Sequence, residues 1–216
     1  MDKRGRAMAA ERYLGSLYPD ADCSLEYSDP WRLLVAVRLS AQCTDKRVNM
    51  VTPALFERYP DAEAMSRAEV GELESLIHPC GFFRSKARDL IAMSGRIAGE
   101  YGGKVPDTME ELLSLPGVGR KSANLILGDV YGKPAIVCDT HMIRISNRLG
   151  LADSTDPVKV ESQLRGLLTP ETSAAFCHRV VDFGRDVCRA RNPRCESCGL
   201  SDICVFFKEN SPESLT

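Results

Sequence analysis

Three groups of residues in this chain have the types and spacing to do chemistry. The first is "LPGVGRKSANLIL", residues 115 to 127, where Lys121 stands two residues past a Gly-x-Gly turn, at the start of an apolar helical pattern. The second is "VCDTH", residues 137 to 141, which brings Asp139 a short way downstream. The third is "CRARNPRCESCGLSDIC", a C-x6-C-x2-C-x5-C run of Cys188, Cys195, Cys198 and Cys204. An amine, a carboxylate and four thiols have different uses. A lysine at a helix start, beside Arg120, has its ammonium disfavoured by both neighbours. Partial burial would add to this, and such an amine is a nucleophile for an aldehyde or an electrophilic sugar carbon. The alternative is a second phosphate contact. Asp139 can cap the helix that follows it, and it can also take a proton or stabilise a cationic sugar. His141 is either a phosphate contact or an ordinary helix histidine.

The turn itself suits an anion. Pro116 ends the preceding helix, while Gly117 and Gly119 permit the turn and leave room for a phosphate to reach the backbone. The N–H groups of the turn and of the next helix start would then face that phosphate. Such a hairpin holds phosphate without reading bases. A helical corner that merely packs is the competing reading. The four cysteines lie within 17 residues of sequence, and the other five of the nine are scattered. Four thiolates in one loop suit either Zn²⁺ or an iron–sulfur cluster. Only one pair has the C-x2-C spacing of a zinc knuckle, which tilts the balance towards a cluster.

The elements that must position these groups read as helices almost throughout. Asp29-Pro30 is an N-cap and first helical position before "WRLLVAVRLS", apolar nearly all round and so a core helix. Thr44 or Asp45 starts the next helix. Ser66-x-x-Glu69 and Thr108-x-x-Glu111 read as capping boxes. Residues 84 to 101 keep helical apolar spacing, with Gly102 and Gly103 as the stop. Asp156-Pro157 opens a helix to Leu168, and Thr172 one towards Cys188. Period-2 alternation is almost absent, so the predicted fold class is all-α. The tail "KENSPESLT" reads as frayed.

Composition bounds the rest. The chain has 216 residues, 44% hydrophobic and 27% charged, with formal net charge -2. This suits one large or two small soluble domains. The apolar runs are too short to span a bilayer, and the start of the chain carries no apolar stretch of the kind a signal peptide needs. A cytoplasmic protein without membrane contact is expected. The net charge does not advertise nucleic acid. Its distribution does more: six acids fall between Glu57 and Glu74, while Arg84, Lys86 and Arg88, Arg120 and Lys121, Arg144 and Arg148, and Arg185 to Arg194 lean basic. An acidic back and a basic front would still attract phosphate.

Taken together, the hairpin with its lysine, the "VCDTH" segment, the cysteine spacing and "LSAQCTD" at 39 to 45 resemble the endonuclease III family of helix-hairpin-helix DNA glycosylases. The resemblance runs from about residue 10 to 207. It implies two helical domains flanking a DNA-binding cleft. One is a six-helix barrel over 23–133 with the hairpin. The other is discontinuous, 1–22 and 134–216, and carries a 4Fe-4S cluster on Cys188, Cys195, Cys198 and Cys204. It implies a bifunctional glycosylase and abasic-site lyase of base excision repair that removes oxidised pyrimidines from double-stranded DNA. The protein would be a monomer, nucleoid-associated if bacterial. Lys121 would attack the deoxyribose C1′ and expel the base, and the Schiff base would cut the strand by β-elimination. Asp139 would activate Lys121. Gln42 and Phe82 would fill the gap left by the extruded nucleotide, with Gly117, Val118, Gly119, Arg120, His141 and Arg144 as further DNA contacts. Family members commonly carry leucine where Phe82 aligns and an aliphatic residue where Cys138 stands. The rivals are a monofunctional mismatch or adenine glycosylase, an abasic-site lyase with little base excision, and a non-catalytic iron–sulfur DNA-binding module.

Overall fold

The computed structural model describes residues 1–210, so the expected fraying of the tail lies largely outside the described residues. The α-helices are α1 (Lys3–Leu17), α2 (Pro30–Ser40), α3 (Asp45–Arg58), α4 (Ala62–Ser66), α5 (Val70–Ile77) and α6 (Phe83–Glu100). They continue as α7 (Met109–Ser114), α8 (Arg120–Asp129), α9 (Thr140–Arg148), α10 (Pro157–Arg165), α11 (Ser173–Asp186) and α12 (Val205–Asn210). Among the described residues there is no β-strand, and no helix is long and apolar enough to cross a membrane. The all-α expectation holds.

Local chemistry sets most of the helix starts. Side-chain oxygens of Asp29, Thr44, Thr108, Asp139 and Asp156 each accept a backbone N–H from the first turn of the helix they precede. This satisfies donors that a helix start otherwise leaves without a partner. Two cap expectations fail. Ser66 is the last residue of α4 rather than a cap. Asp61 caps α4, and the Glu69 carboxylate itself caps α5 by accepting from the Glu72 N–H at 2.7 Å. A carboxylate takes the place expected of the serine hydroxyl because the chain already turns once between Asp61 and Ser66. Thr172 does not cap α11 either. It ends a short 3-10 turn over Pro170–Thr172, and its hydroxyl bonds Glu11 at 2.9 Å. Helix α10 stops at Arg165, short of Leu168.

The chain divides into two compact units, Cys23–Tyr131 and Met1–Asp22 with the chain from Gly132 on. The first is built round α2, where Trp31, Leu33, Leu34, Val35, Ala36, Val37 and Leu39 are all buried. Helices α3, α6 and α8 pack against it. The Trp31 indole N–H, buried with its ring, donates to the Ser94 hydroxyl at 3.2 Å. The second unit packs α1 and α9 on α11, with Leu14, Met142, Ile145, Phe176, Val180 and Phe183 in its core.

Candidate active site

In the first unit, α7, a tight turn and α8 form the predicted hairpin. The two glycines of its turn differ. Gly117 has φ 74°, in the left-handed region that glycine tolerates, and a Cβ there would lie 2.6 Å from Arg38 Nε and 2.9 Å from Asp89 Cβ. Arg38 and Asp89 form a close ion pair, with Nε–Oδ2 at 2.9 Å, so the turn rests directly on that pair. Gly119 has φ -100° and open space where its side chain would be. Neither backbone strain nor packing explains that glycine. It is the N-cap of α8, and no side chain caps this helix start.

A pair of variants separates these roles. Gly117→Ala adds left-handed strain and an overpacked contact, so it should destabilise by about 2–4 kcal/mol in urea titration. Gly119→Ser supplies a good N-cap in an extended conformation and should leave stability equal or higher. Its hydroxyl would occupy the N–H groups of α8, and affinity for duplex DNA should fall about tenfold, roughly 1.4 kcal/mol.

Lys121 lies exposed in the first turn of α8, beside the exposed Arg120. Burial therefore adds nothing to what disfavours its ammonium. Val118, expected as a DNA contact, is 8% exposed, and its N–H donates to the Leu115 carbonyl at 3.2 Å. Gln42 and Phe82 are both exposed and both left-handed, with φ 53° and 47°. A bulky residue in that region is a genuine outlier, and such strain gathers at functional sites. Phe82 is 66% exposed, unusual for a large apolar ring.

Lys86 corrects the reading of a basic front. It is 1% exposed, and its Nζ donates to the carbonyls of Leu39 at 2.8 Å and Cys80 at 2.9 Å. Burial pushes its ammonium down from the ordinary lysine range. The lysine thus ties the end of α2 to the turn that leads to Phe82. The helical register held the clue, because Lys86 sits one turn before Leu90 on the buried stripe of α6. Lys86→Met would leave two buried carbonyls without a donor and should destabilise by about 2 kcal/mol or more in chemical denaturation.

In the second unit Asp139 is the N-cap of α9, its Oδ1 accepting from the Met142 N–H at 2.8 Å. His141 lies in the first turn of α9, and Arg144 on the next. Arg144 turns to the protein: Nε and Nη2 donate to the Cys188 carbonyl at 3.3 and 3.1 Å, and Nη2 also to that of Gly184. Its Nη2 lies 3.2 Å from His141 Nδ1. Gly184 has to be small, since a Cβ there would sit 2.3 Å from that nitrogen. Arg148 likewise spends its guanidinium on the carbonyls of Arg189 and Ala190, at 2.7 and 3.1 Å. These two arginines position the loop that follows α11 rather than forming an open basic face.

That loop carries the four cysteines, all of which border one pocket with Arg148, Phe183 and Phe206. Among the described residues no three His, Cys, Asp or Glu side chains meet closely enough to hold a single metal ion. The thiols ring a space rather than converge on a point. The donors fit a cluster: four sulfurs, an apolar wall, and N–H groups aimed at sulfur. Arg148 Nη1 donates to Cys188 Sγ and the Leu200 N–H to Cys198 Sγ, both at 3.4 Å. Such contacts orient and tune a bound cluster. Burial pushes the Cys195, Cys198 and Cys204 thiols up, and their mutual proximity adds to it. Separately, a cavity of about 750 Å³ in the first unit, bordered by Trp31, Lys104, Asp107 and Tyr131, includes none of the predicted site residues.

The model of the HhH-GPD superfamily base excision DNA repair proteins matches residues 35–170, more than half the chain. That of the iron-sulfur binding domain of endonuclease III matches 188–204. Endonuclease III of Synechocystis sp. is 48% identical over 94% of this chain and 93% of its own length. The chain belongs to the endonuclease III family. Endonuclease III of Bacillus subtilis is 43% identical, covering 88% of each chain. Among solved structures, a trapped endonuclease III–DNA covalent intermediate superposes with a TM-score of 0.90 at 38% identity, over 97% of this chain and 99% of that one. As an endonuclease III family member the protein is a base excision repair enzyme, a DNA glycosylase with abasic-site lyase activity, and its cofactor is a 4Fe-4S cluster.

Proposed function

We propose that Lys121 is the nucleophile of this enzyme and that its substrates are oxidised pyrimidines and abasic sites in double-stranded DNA. The observation that carries the reading is the exposed Lys121 in the first turn of a helix whose start no side chain caps. The uncapped N–H groups take the phosphate, with Gly119 letting it approach and Arg120 adding charge. The amine of Lys121 attacks C1′ of the deoxyribose, the bond to the damaged base breaks, and the base leaves. The resulting Schiff base loses a C2′ proton, and the 3′ C–O bond breaks. The Asp139 carboxylate takes a proton from the amine and offsets positive charge on the sugar.

Gln42 and Phe82 occupy the space of the extruded nucleotide, the exposed Phe82 ring being an apolar body able to stack in a helix. His141 is a phosphate contact, and Arg144 serves DNA through the loop it holds. Cys188, Cys195, Cys198 and Cys204 hold the cluster, which when bound ties that loop together and presents Arg189, Arg191 and Arg194. The barrel with its hairpin, expected over 23–133, corresponds to the unit Cys23–Tyr131, and the remainder to the cluster domain. The protein acts as a cytoplasmic monomer. The trapped covalent complex of a 38% identical structure supports imine chemistry.

Duplexes bearing one thymine glycol, one 8-oxoguanine or one G·T mismatch test the substrate class. Strand cutting at the thymine glycol, at least about tenfold faster than at the other two, is expected. Base release from the mismatch without strand cutting would instead make the protein a monofunctional glycosylase.

A further inference from the structure

Lys86 touches both of the segments that carry exposed, left-handed side chains. Its Nζ donates to the carbonyl of Leu39, three residues before Gln42, and to that of Cys80, two residues before Phe82. Its own backbone N–H donates to the Phe82 carbonyl at 3.1 Å. Leu39 lies in the last turn of α2, and Cys80 ends a short 3-10 turn over His78–Cys80. Such helix ends leave carbonyls without a partner, and a cation suits them. Burying an ammonium is costly unless its donors are bonded. Here both acceptors of the ammonium lie within three residues of Gln42 or Phe82.

Those two residues need holding. Gln42 and Phe82 have φ of 53° and 47°, and Gly81, just before Phe82, has φ 67°. Strained backbone of this kind persists only where its surroundings over-determine it. Beside Gln42, the Cys43 N–H closes a turn onto the Ser40 carbonyl at 3.0 Å. Before Phe82, the Gly81 N–H closes another onto the His78 carbonyl at 3.2 Å. These bonds shape each turn by itself, and Lys86 ties one turn to the other.

We propose that Lys86 is a positioning residue for nucleotide extrusion: by joining the two turns it sets the spacing of the Gln42 and Phe82 side chains, so that both enter the duplex together. The inference rests on the gap-filling role proposed above for those two residues. Lys86 is 1% exposed and acts through them, not on DNA. The consequence is specific. A nucleotide turned out of a paired duplex leaves a gap and an unpartnered base, and its unstacking costs free energy. A nucleotide already in a one-nucleotide bulge leaves neither. Loss of the ammonium should therefore slow reaction at a paired site far more than at a bulged one. A mere loss of folded protein would slow both alike.

Strand cutting by the cluster-loaded protein is followed in single turnover on an abasic site opposite adenine and on the same site as a one-nucleotide bulge. In Lys86→Met the bulged-to-paired rate ratio should rise about tenfold or more over the native protein, the cost of a small misplacement. Lys86→Gln keeps an N–H donor and should fall between the two. It carries the test if the methionine variant does not retain its cluster absorbance. Phe82→Ala should raise the ratio by itself. Adding Lys86→Met to Gln42→Ala/Phe82→Ala should raise it no further, because residues that act as one unit are not additive. A ratio that stays native in the Lys86 variants while Phe82→Ala raises it would overturn the positioning role and leave Lys86 a structural tie. So would a further rise on adding Lys86→Met to the double variant. A ratio unmoved by Gln42→Ala/Phe82→Ala would instead sink the gap-filling role itself.

Discussion

Lys121→Ala should give no covalent protein–DNA band when incubated with an abasic duplex and borohydride, while the native protein gives a strong one. Strand cutting by the variant should fall by about 10⁶-fold, the scale seen when a nucleophile is deleted. The fold should be indifferent. Lys121 is exposed in the first turn of α8, and the core face of that helix is carried by Ala123, Asn124, Ile126 and Leu127. Alanine is also the best helix former, so thermal unfolding should not move. The comparison that matters is Lys121→Arg. It keeps the positive charge for a phosphate but cannot deprotonate to an amine at neutral pH. If Lys121 were only a phosphate contact, arginine would preserve activity. As a nucleophile it should be lost as fully as in the alanine variant, while DNA affinity is retained. A band that survives in both variants would mean that another amine is trapped.

Asp139 should split into two effects under two substitutions. Asparagine is as good an N-cap as aspartate, so Asp139→Asn keeps the bond to the Met142 N–H and the start of α9. Stability should change by only a few tenths of a kcal/mol, yet the carboxylate proposed to take a proton is gone. Base release and strand cutting should drop by about 10²–10⁴-fold, the usual share of a general base. Asp139→Ala should show the same kinetic loss together with about 1 kcal/mol of destabilisation, because the cap is lost as well. If the asparagine variant kept full activity, capping would be the whole role of Asp139.

What the sequence made legible was local. The caps at Asp29, Thr44, Thr108, Asp139 and Asp156 depend on an oxygen and an N–H two or three residues away, so spacing alone reveals them. The hairpin, with its helix stop, its turn and its helix start, was readable for the same reason. Long-range partners were not. Lys86 looked like one of three surface cations because the carbonyls that hold it belong to Leu39 and Cys80, the first 47 residues away. Arg144 and Arg148 looked like phosphate contacts because the acceptors that claim them come some forty residues later, in the cysteine loop. Ser66 had the right neighbour three residues on, but the helix it was expected to start had its own carboxylate cap. Gln42 and Phe82 could be named only from the family likeness, since a left-handed φ at glutamine or phenylalanine has no signature in composition or period.

The seat of Gly117 on the Arg38–Asp89 pair makes three positions from three parts of the chain one unit of heredity. A side chain at 117 meets both partners, so its cost depends on what stands at 38 and 89. Shortening Arg38 or Asp89 alone strands a charge and leaves a gap beneath the turn. Enlarging residue 117 alone collides with the pair. Effects of the three changes should therefore fail to add, as is usual for residues in contact. A lineage leaving this arrangement would have to cross a valley in which each single step is worse than its start. The shape of the turn is then held by epistasis as much as by any one glycine.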